Sequence, residues 1–198
     1  MMNNKFYEDL KKKVKQELGE KGSHDFNHTE RVYNYAIEIS NGLNVDLDIV
    51  KVSALLHDIT KNRERDGKVK DHSVQGAIEA RKILRKTSFP KEKIEIVCKC
   101  ILLHDKREDI PKIKEIRILK EADGLEAIGA IGIAREFSYL GETKGWYNSS
   151  KEDLINHLIQ FSNSSYFQFP IARRIARRKI RITKKFCNAF VKESRIKN

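Results

Sequence analysis

Apolar residues recur at helical spacing along almost the whole chain. Phe6, Leu10, Val14 and Leu18 stand four residues apart and predict a first helix that ends before Gly19. The strict alternation of apolar and polar residues that is typical of a half-exposed strand does not occur. The sequence is therefore predicted to be all-α.

Signals at helix ends divide the rest of the chain into further helices. Ser23 or Asp25 is expected to cap a helix that stops at Gly42, and Asp46 to cap one that carries His57 at its C-terminal end. Pro90 is expected as the first residue of its helix. The remaining helices are predicted over about 72–85, 90–104, 116–137, 150–161 and 169–193, with loops at 62–70 and 141–150.

Composition agrees with a soluble protein that builds one sizeable core. The chain has 198 residues, of which 39% are hydrophobic and 34% are charged. It has no run of eighteen apolar residues, and residues 1–13 lack an apolar signal core, so a cytoplasmic location without membrane contact is expected. The three cysteines, Cys98, Cys100 and Cys187, are expected to be buried free thiols.

Most of the net charge of +12 lies at the C-terminal end of the chain. Residues 171–198 contain eleven lysines and arginines and a single acid, Glu193, which gives this segment a charge of +10. One interpretation is the solvated face of a docking helix. The other is a surface that attracts nucleotide or RNA through its paired arginines, which are Arg173, Arg174, Arg177 and Arg178.

Candidate chemistry begins with the dipeptide His57-Asp58. It directly follows the apolar stretch 52–56, which carries both residues to the edge of the core. A charge buried there costs on the order of several kcal/mol unless it is paired or coordinates an ion. The alternative is a helix end in which the helix dipole favours His57 and Asp58 serves as a cap.

Two other residues are candidates for the same site. Asp123 stands among residues that should face a core, although it could instead cap a helix beginning at Gly124. His28 lies on the second predicted helix, where a single histidine can also be structural. Histidine and carboxylate together are typical ligands of hydrolytic metal sites.

In this order, His28, His57-Asp58 and Asp123 resemble the His…His-Asp…Asp pattern of the HD-domain superfamily of metal-dependent phosphohydrolases. The contexts at 28–32 and 54–61 match as well, and residues 121–135 are similar to a group of small bacterial HD proteins. Some of that group are described as nucleoside-triphosphate pyrophosphohydrolases. The resemblance covers about residues 20–190 and implies a single HD domain with a core over about 20–140 and a helical extension over about 150–195.

The resemblance also implies a ligand set and an ion. His28, His57, Asp58 and Asp123 would hold a divalent cation, with Mn²⁺ favoured and Co²⁺, Fe²⁺, Mg²⁺, Zn²⁺ or Ni²⁺ as alternatives. The chain departs from the family pattern at two positions. Lys61 stands where several HD nucleotidases and the alarmone hydrolases carry a glutamate, which disfavours alarmone hydrolysis. Gly124 stands where an arginine or lysine usually follows the last ligand.

Residues around this ligand set are expected to act on substrate. Lys61 and Arg31 are candidates for neutralising phosphate, with a solvated lysine and a structural ion pair as the respective alternatives. His72 and His104 are expected to contact substrate, while a second metal ion or proton donation to the leaving group remains open. Asp58, Lys61 and His104 are the candidate catalytic residues.

The expected reaction is cleavage of a (deoxy)nucleoside triphosphate to monophosphate and pyrophosphate. Alternatives are a nucleotide phosphomonoesterase or phosphodiesterase, a nucleic-acid-binding module on an HD scaffold, and a structural HD protein without turnover. The expected partners are a nucleotide and, through the basic C-terminal helix, nucleic acid. The sequence leaves the oligomeric state open, with a homodimer as one option.

Overall fold

The computed structural model describes residues 2–19, 22–106, 111–143, 151–160 and 162–194, and within them it is helical with no strand. The all-α prediction is confirmed. The helices are α1 (Asn4–Leu18), α2 (Phe26–Ser40), α3 (Leu47–Leu56), α4 (Lys61–Arg65), α5 (His72–Leu84), α6 (Lys91–Leu103), α7 (Lys114–Glu126), α8 (Gly129–Thr143), α9 (Lys151–Gln160) and α10 (Pro170–Glu193), with a 3-10 turn at Ser164–Tyr166.

The chain forms two compact units, an N-terminal unit of residues 1–123 and a C-terminal unit of residues 124–198. The N-terminal unit contains α1 to α6 and most of α7, and the C-terminal unit contains α8 to α10. The expected organisation as one domain with a helical extension stays a prediction. In the part of the chain that is described, no helix has the length and apolar character needed to cross a membrane.

Helix α3 lies at the centre of the N-terminal unit. Its residues Val50, Val52, Leu55 and Leu56 are fully buried although they point to different sides, because α1, α2 and α6 all pack against it. Helix α5 packs in turn against α6. The residues that follow α3 are therefore buried inside the protein, where a polar side chain needs a hydrogen-bond or ionic partner.

Helix starts follow the predicted caps closely. The carboxylate of Asp25 accepts a hydrogen bond from the backbone N–H of His28 at 2.9 Å and begins α2. Asp46 accepts from two N–H groups of α3, at 2.9 and 3.2 Å. Pro90 differs slightly from its prediction, since it precedes the first helical residue of α6 instead of being that residue.

The charged segment 62–70, expected as a loop, begins with the short helix α4. Two contacts to α1 hold this helix: the Arg63 guanidinium pairs with Glu17 at 3.1 Å, and the Asn62 amide donates to the carbonyl of Leu18 at 3.0 Å. The loop predicted at the start of this segment was wrong, because the sequence shows its charged residues but not the residues of α1 that pair with them.

The predicted helix over 116–137 is two helices. The break falls before Gly129, which has a φ of +77° that favours glycine and whose N–H donates to Thr183 Oγ at 2.8 Å. Helix α8 then continues to Thr143, into the segment 141–150 that was expected to be a loop. Residues 144–150 of that segment lie outside the described residues.

In the C-terminal unit, α8 and α9 pack against α10 around an apolar cluster of Leu140, Leu154, Leu158 and Cys187. One side of α10 is buried through Ala172, Ala176, Ile180, Thr183 and Cys187. The basic side chains consequently lie on its outer face. All three cysteines are buried free thiols, as predicted.

A candidate metal centre around Asp58

His57 and His104 end two helices in the same way. Each ring donates its Nδ1–H to the backbone carbonyl three residues earlier, His57 to Ala54 at 2.8 Å and His104 to Ile101 at 2.6 Å. This hydrogen bond fixes each ring and directs its Nε2 to the opposite side. Both side chains are buried, so both Nε2 atoms are held inside the protein.

The four predicted metal ligands come together at this depth. Nε2 of His28 lies 3.3 Å from Nε2 of His57, 3.6 Å from Oδ2 of Asp58 and 3.5 Å from Oδ1 of Asp123. Oδ2 of Asp58 lies 3.5 Å from Nε2 of His57. Two ring nitrogens that face each other at this distance need a proton or a cation between them.

The second oxygen of Asp58 faces two further histidines. Its Oδ1 lies 3.4 Å from Nε2 of His72 and 3.6 Å from Nε2 of His104. Oδ2 of Asp105 is 3.9 Å from the same nitrogen of His72. The carboxylate of Asp58 thus stands between two pairs of imidazoles, one pair at each oxygen.

These atoms suit a divalent cation in both chemistry and spacing. The ligand atoms of His28, His57 and Asp123 lie within 4.8 Å of one another, as do those of His57, Asp58 and His104. Adjacent ligands of an octahedral ion with bonds of about 2.1 Å stand about 3 Å apart. Small side-chain movements would therefore complete the coordination, and imidazole with carboxylate is a usual set for first-row divalent metals.

The electrostatics of the site favour the forms of His57 and Asp58 that can bind a metal. Burial lowers the pKa of His57 to about 4. Burial opposes the charge on Asp58, yet the histidines around it hold the pKa of this carboxyl well below its usual range. At His104 burial is outweighed by the hydrogen bond and charge of Asp58, which raise its pKa to about 9. At neutral pH Asp58 is charged and His57 is neutral, as ligation requires.

Of the two basic residues predicted to contact substrate, Lys61 contacts His72 of this cluster. Lys61 is the first residue of α4, and its Nζ is 2.7 Å from Glu64 Oε2 and 3.2 Å from His72 Nδ1. Arg31 is half-buried on α2, one turn after His28. Glu64 was not predicted as a site residue, because the segment that carries it was read as a loop.

The glycine after the last ligand is explained by its neighbour in the C-terminal unit. A Cβ atom at Gly124 would stand 2.5 Å from Cε1 of Tyr166, so a side chain here requires the aromatic ring to move. The arginine or lysine usual in the family at this position has no room beside Tyr166. The Asp123-Gly124 sequence is thus a consequence of local packing.

Comparisons with known proteins identify the family of the chain. Residues 25–128 match the HD domain family. The uncharacterized protein YpgQ of Bacillus subtilis is 32% identical over 127 residues, which are 62% of this chain and 60% of YpgQ. The aligned part is thus less than two thirds of the length of this curated relative.

Two solved structures have the same fold. A predicted HD superfamily hydrolase from an uncultured Thermotogales bacterium is 28% identical, with a TM-score of 0.67 over 94% of this chain and 91% of that one. YpgQ of Bacillus subtilis in complex with ADP is 24% identical, with a TM-score of 0.72 over 96% and 98% of the two chains. Because the family match covers over half of the sequence and includes the positions of all four predicted ligands, the chain belongs to the HD domain family.

Proposed function

We propose that the protein is a divalent-metal-dependent phosphohydrolase that cleaves a (deoxy)nucleoside triphosphate to monophosphate and pyrophosphate. The observation that carries this proposal is the position of Asp58, a buried carboxylate with an imidazole nitrogen of four different histidines 3.4–3.6 Å from its oxygens. A carboxylate used only for stability would be expected to have hydrogen-bond donors at shorter distances.

His28, His57, Asp58 and Asp123 would hold the ion, for which Mn²⁺ is the first choice. When bound, a divalent ion supplies a Lewis acid for a phosphoryl oxygen and lowers the pKa of a bound water. The protein contributes the fixed direction of its ligands. Ala54 orients the ring of His57 through its carbonyl, and Asp25 fixes the helix start from which His28 projects.

The other residues of the site are proposed to bind the phosphate chain. His72 and His104 direct Nε2 toward the same oxygen of Asp58, from where either ring can reach a phosphate oxygen or help to hold a second ion. Lys61 and Arg31 are proposed to neutralise phosphate charge from the rim. Asp58, Lys61 and His104 are the proposed catalytic residues.

A nucleotide is the proposed substrate because a relative of the same fold, YpgQ, was solved in complex with ADP. The preference for triphosphate cleavage over a phosphomonoesterase or phosphodiesterase reaction rests on the resemblance of residues 121–135 to the small bacterial pyrophosphohydrolases. The two alternatives differ in their product, since only the proposed reaction releases pyrophosphate.

The test is a product screen with a matched pair of variants. Purified protein loaded with Mn²⁺ is offered a panel of nucleoside mono-, di- and triphosphates and cyclic nucleotides, and phosphate and pyrophosphate are measured separately. Pyrophosphate release that is lost in Asp58→Asn and retained in Asp66→Asn supports the proposal, because Asp66 is an exposed residue at the end of α4. Release of phosphate alone, or equal activity in both variants, would overturn it.

A second candidate function is nucleic-acid binding through α10. Its outer face carries exposed basic residues and no exposed acid before Glu193, which places like charges three and four residues apart. Each such pair destabilises a helix by about 0.2–0.5 kcal/mol, a cost that a polyanion would remove. The exposed basic residues are Arg173, Arg174, Arg177, Arg178, Arg181, Lys184, Lys185 and Lys192.

Charge reversal of the four arginines at 173, 174, 177 and 178 tests this candidate. If the face binds RNA, the metal-free wild-type protein binds a labelled oligonucleotide with an affinity that falls steeply as salt rises, and the reversed variant does not. Equal binding and equal salt dependence of the two proteins would identify the outer face as a solvated surface.

A further inference from the structure

The two carboxylate oxygens of Asp71 bind two different segments of the chain. Oδ1 caps the start of α5, because it accepts hydrogen bonds from the N–H and the hydroxyl of Ser73, at 2.9 and 2.6 Å, and from the following N–H at 3.1 Å. Oδ2 pairs with the ammonium of Lys106, 2.9 Å away. Asp71 therefore joins the first turn of α5, which carries His72, to the residues that follow α6 and His104.

The Lys106 end of this ion pair has an anchor of its own. The ammonium of Lys120, a buried residue on α7, donates to the backbone carbonyl of His104 at 3.4 Å and to that of Lys106. Lys120 thus binds carbonyl groups that follow the C-terminal end of α6. Because the side chain of Lys106 starts from a fixed backbone, its contact with Asp71 restricts where the first turn of α5 can lie.

His72 and His104 lie on either side of this ion pair and approach the same oxygen of Asp58. Their Nε2 atoms are 3.4 and 3.6 Å from Oδ1, and their ring centroids are 5.4 Å apart. The ring of His104 is fixed from its own helix by the carbonyl of Ile101. The separation of the two rings therefore depends on where the first turn of α5 lies relative to the C-terminal end of α6.

The same two helices are joined by a second ion pair at a distance from these rings. Arg81 of α5 binds Glu95 of α6 through two contacts of 2.7 Å. Arg81 stands nine residues after His72, which is about 14 Å along a helix. The side chains of both ion pairs are between 31% and 58% exposed, so neither pair is expected to contribute much to stability. The two pairs differ in their distance from the site histidines.

We infer that the ion pair of Asp71 and Lys106 sets the separation between the rings of the two site histidines, which makes Asp71 a positioning residue. Asp71 acts through the helix start that it holds, without touching the substrate. A displacement of about 1 Å in a site can cost about 100-fold in rate. The consequence for turnover rests on the proposed function, in which His72 and His104 bind the phosphate chain, whereas the geometry of the rings does not depend on it.

The separation of the rings is measured by the nuclear Overhauser effect between their carbon-bound protons, in metal-free protein labelled with ¹³C at histidine. The signals of His72 are assigned by their loss in His72→Asn. The contact of His57 with His104, with ring centroids 5.2 Å apart, is the internal reference because neither residue lies on α5. We expect the cross-peak between His72 and His104 to lose most of its intensity relative to this reference in Asp71→Asn and in Lys106→Met.

The choice of variants separates the ion pair from the helix cap. Asparagine caps a helix start as well as aspartate does, so Asp71→Asn keeps the first turn of α5 and loses the charge that binds Lys106. It also leaves intact the contact of Lys106 with Asp105, at 3.7 Å. Lys106→Arg is the conservative variant and should keep the wild-type cross-peak, because arginine also pairs with a carboxylate.

Glu95→Gln is the matched control. It breaks the ion pair with Arg81 between the same two helices, and its cross-peaks are expected to equal those of the wild type. The inference is overturned if Asp71→Asn and Lys106→Met keep the wild-type cross-peak, or if Glu95→Gln weakens it equally.

Turnover provides the second measurement, on whichever nucleotide the product screen identifies. We expect kcat to fall by about 10- to 100-fold in Asp71→Asn and in Lys106→Met, with a smaller change in KM. The double variant should lose no more than either single one, because both changes break the same ion pair. Glu95→Gln and Lys106→Arg should stay close to the wild type.

The same kinetics distinguish positioning from direct binding of phosphate by Lys106. If Lys106 binds the substrate itself, Asp71→Asn releases it and leaves kcat at the wild-type level, while Lys106→Met raises KM. That result would overturn the inference. If the wild type cleaves no nucleotide, the proposed function fails while the NMR result still decides the role of Asp71.

Discussion

Helix α3 has a buried aspartate near each end, and the two are used in opposite ways. Asp48 and Asp58 are equally buried, each with 3% of its surface exposed. Asp48 accepts from the Tyr7 hydroxyl at 2.6 Å, the Met2 N–H at 2.9 Å and the Lys93 ammonium at 3.3 Å. Asp58 has imidazole Nε2 atoms around it instead, at 3.4–3.6 Å.

This difference separates a carboxylate that binds donors of the fold from one that we propose to be functional. At Asp48 the surrounding groups are donors that bond directly to the carboxylate. They come from α1, from α6 and from Met2, which precedes α1, so these contacts link separate segments of the fold. At Asp58 the rings of His57 and His104 are oriented by their Nδ1 hydrogen bonds so that Nε2 faces the carboxylate. We propose that a cation completes this group of side chains, and burial by itself does not distinguish the two carboxylates.

The largest expected effect follows from removing the charge of Asp58. Asp58→Asn is expected to abolish metal binding and to lower turnover by about 10³-fold, the equivalent of several kcal/mol of lost transition-state stabilisation. Mn²⁺ at 100 times its Kd should stabilise the wild type by about 2.7 kcal/mol and Asp58→Asn not at all. Thermal unfolding with and without Mn²⁺ measures this, and an equal rise in Tm for both proteins would contradict it.

The opposite result is expected at Asp48. Asp48→Asn should destabilise the protein by about 3 kcal/mol, because it breaks a buried charge-assisted cluster and leaves Lys93 without one of its two carboxylates. Urea unfolding gives the free energy, and metal content measured by elemental analysis should equal that of the wild type. If Asp48→Asn loses metal as Asp58→Asn does, the two ends of α3 are not functionally distinct.

The contribution of Asp48 should also depend on pH. Burial opposes its charge, but the hydrogen bonds from Tyr7, Met2 and Lys93 outweigh burial and lower its pKa in the folded protein. A group whose folded pKa is depressed stabilises the fold above its unfolded pKa, which is about 3.9 for aspartate, and this stabilisation is lost as pH falls through the folded value. The difference in unfolding free energy between wild type and Asp48→Asn should therefore be full at pH 6 to 7 and shrink below about pH 4.

A difference that stays constant down to the acid unfolding of the protein would contradict this assignment. Tyr7→Phe is the useful comparison in the same titration, because it removes a donor to Asp48 and should bring the acid-sensitive range to higher pH. The pKa of Tyr7 itself is raised by burial and by Asp48, so the phenol stays protonated throughout.

The sequence predicted the role of Asp58 much better than that of Asp48. The cap at Asp46 and the dipeptide His57-Asp58 follow from local pattern, since a run of apolar residues leads straight into the polar pair. Asp48 has no such signal, because its partners stand between 41 and 46 residues away in the chain. Contacts between residues so far apart in the chain do not affect the helical spacing of apolar residues.

The residues of the candidate site also differ in how well the sequence alone predicts them. His28 could be assigned only through family resemblance, since a single histidine on an amphipathic helix has no local feature that distinguishes it. Glu64 was missed because α4 depends on the pairing of Arg63 with Glu17, 46 residues earlier in the chain. The proposed ligand set was thus accessible from the sequence, while the contact of Glu64 with His72 depends on the packing of α1 against α4.

The smallest expected effect concerns a single donor. Tyr7→Phe removes the shortest hydrogen bond to Asp48 but leaves those from Met2 and Lys93, so it should cost about 1–2 kcal/mol of unfolding free energy, less than Asp48→Asn. Urea unfolding of Tyr7→Phe, Asp48→Asn and the double variant measures the contribution of each residue to the unfolding free energy and the coupling between the two. If Asp48 acts through this cluster, the double variant should be less destabilised than the sum of the two single ones. Full additivity would mean that the Tyr7 hydroxyl and Asp48 stabilise the fold independently, and the structural role assigned to this end of α3 would then lie with Met2 and Lys93.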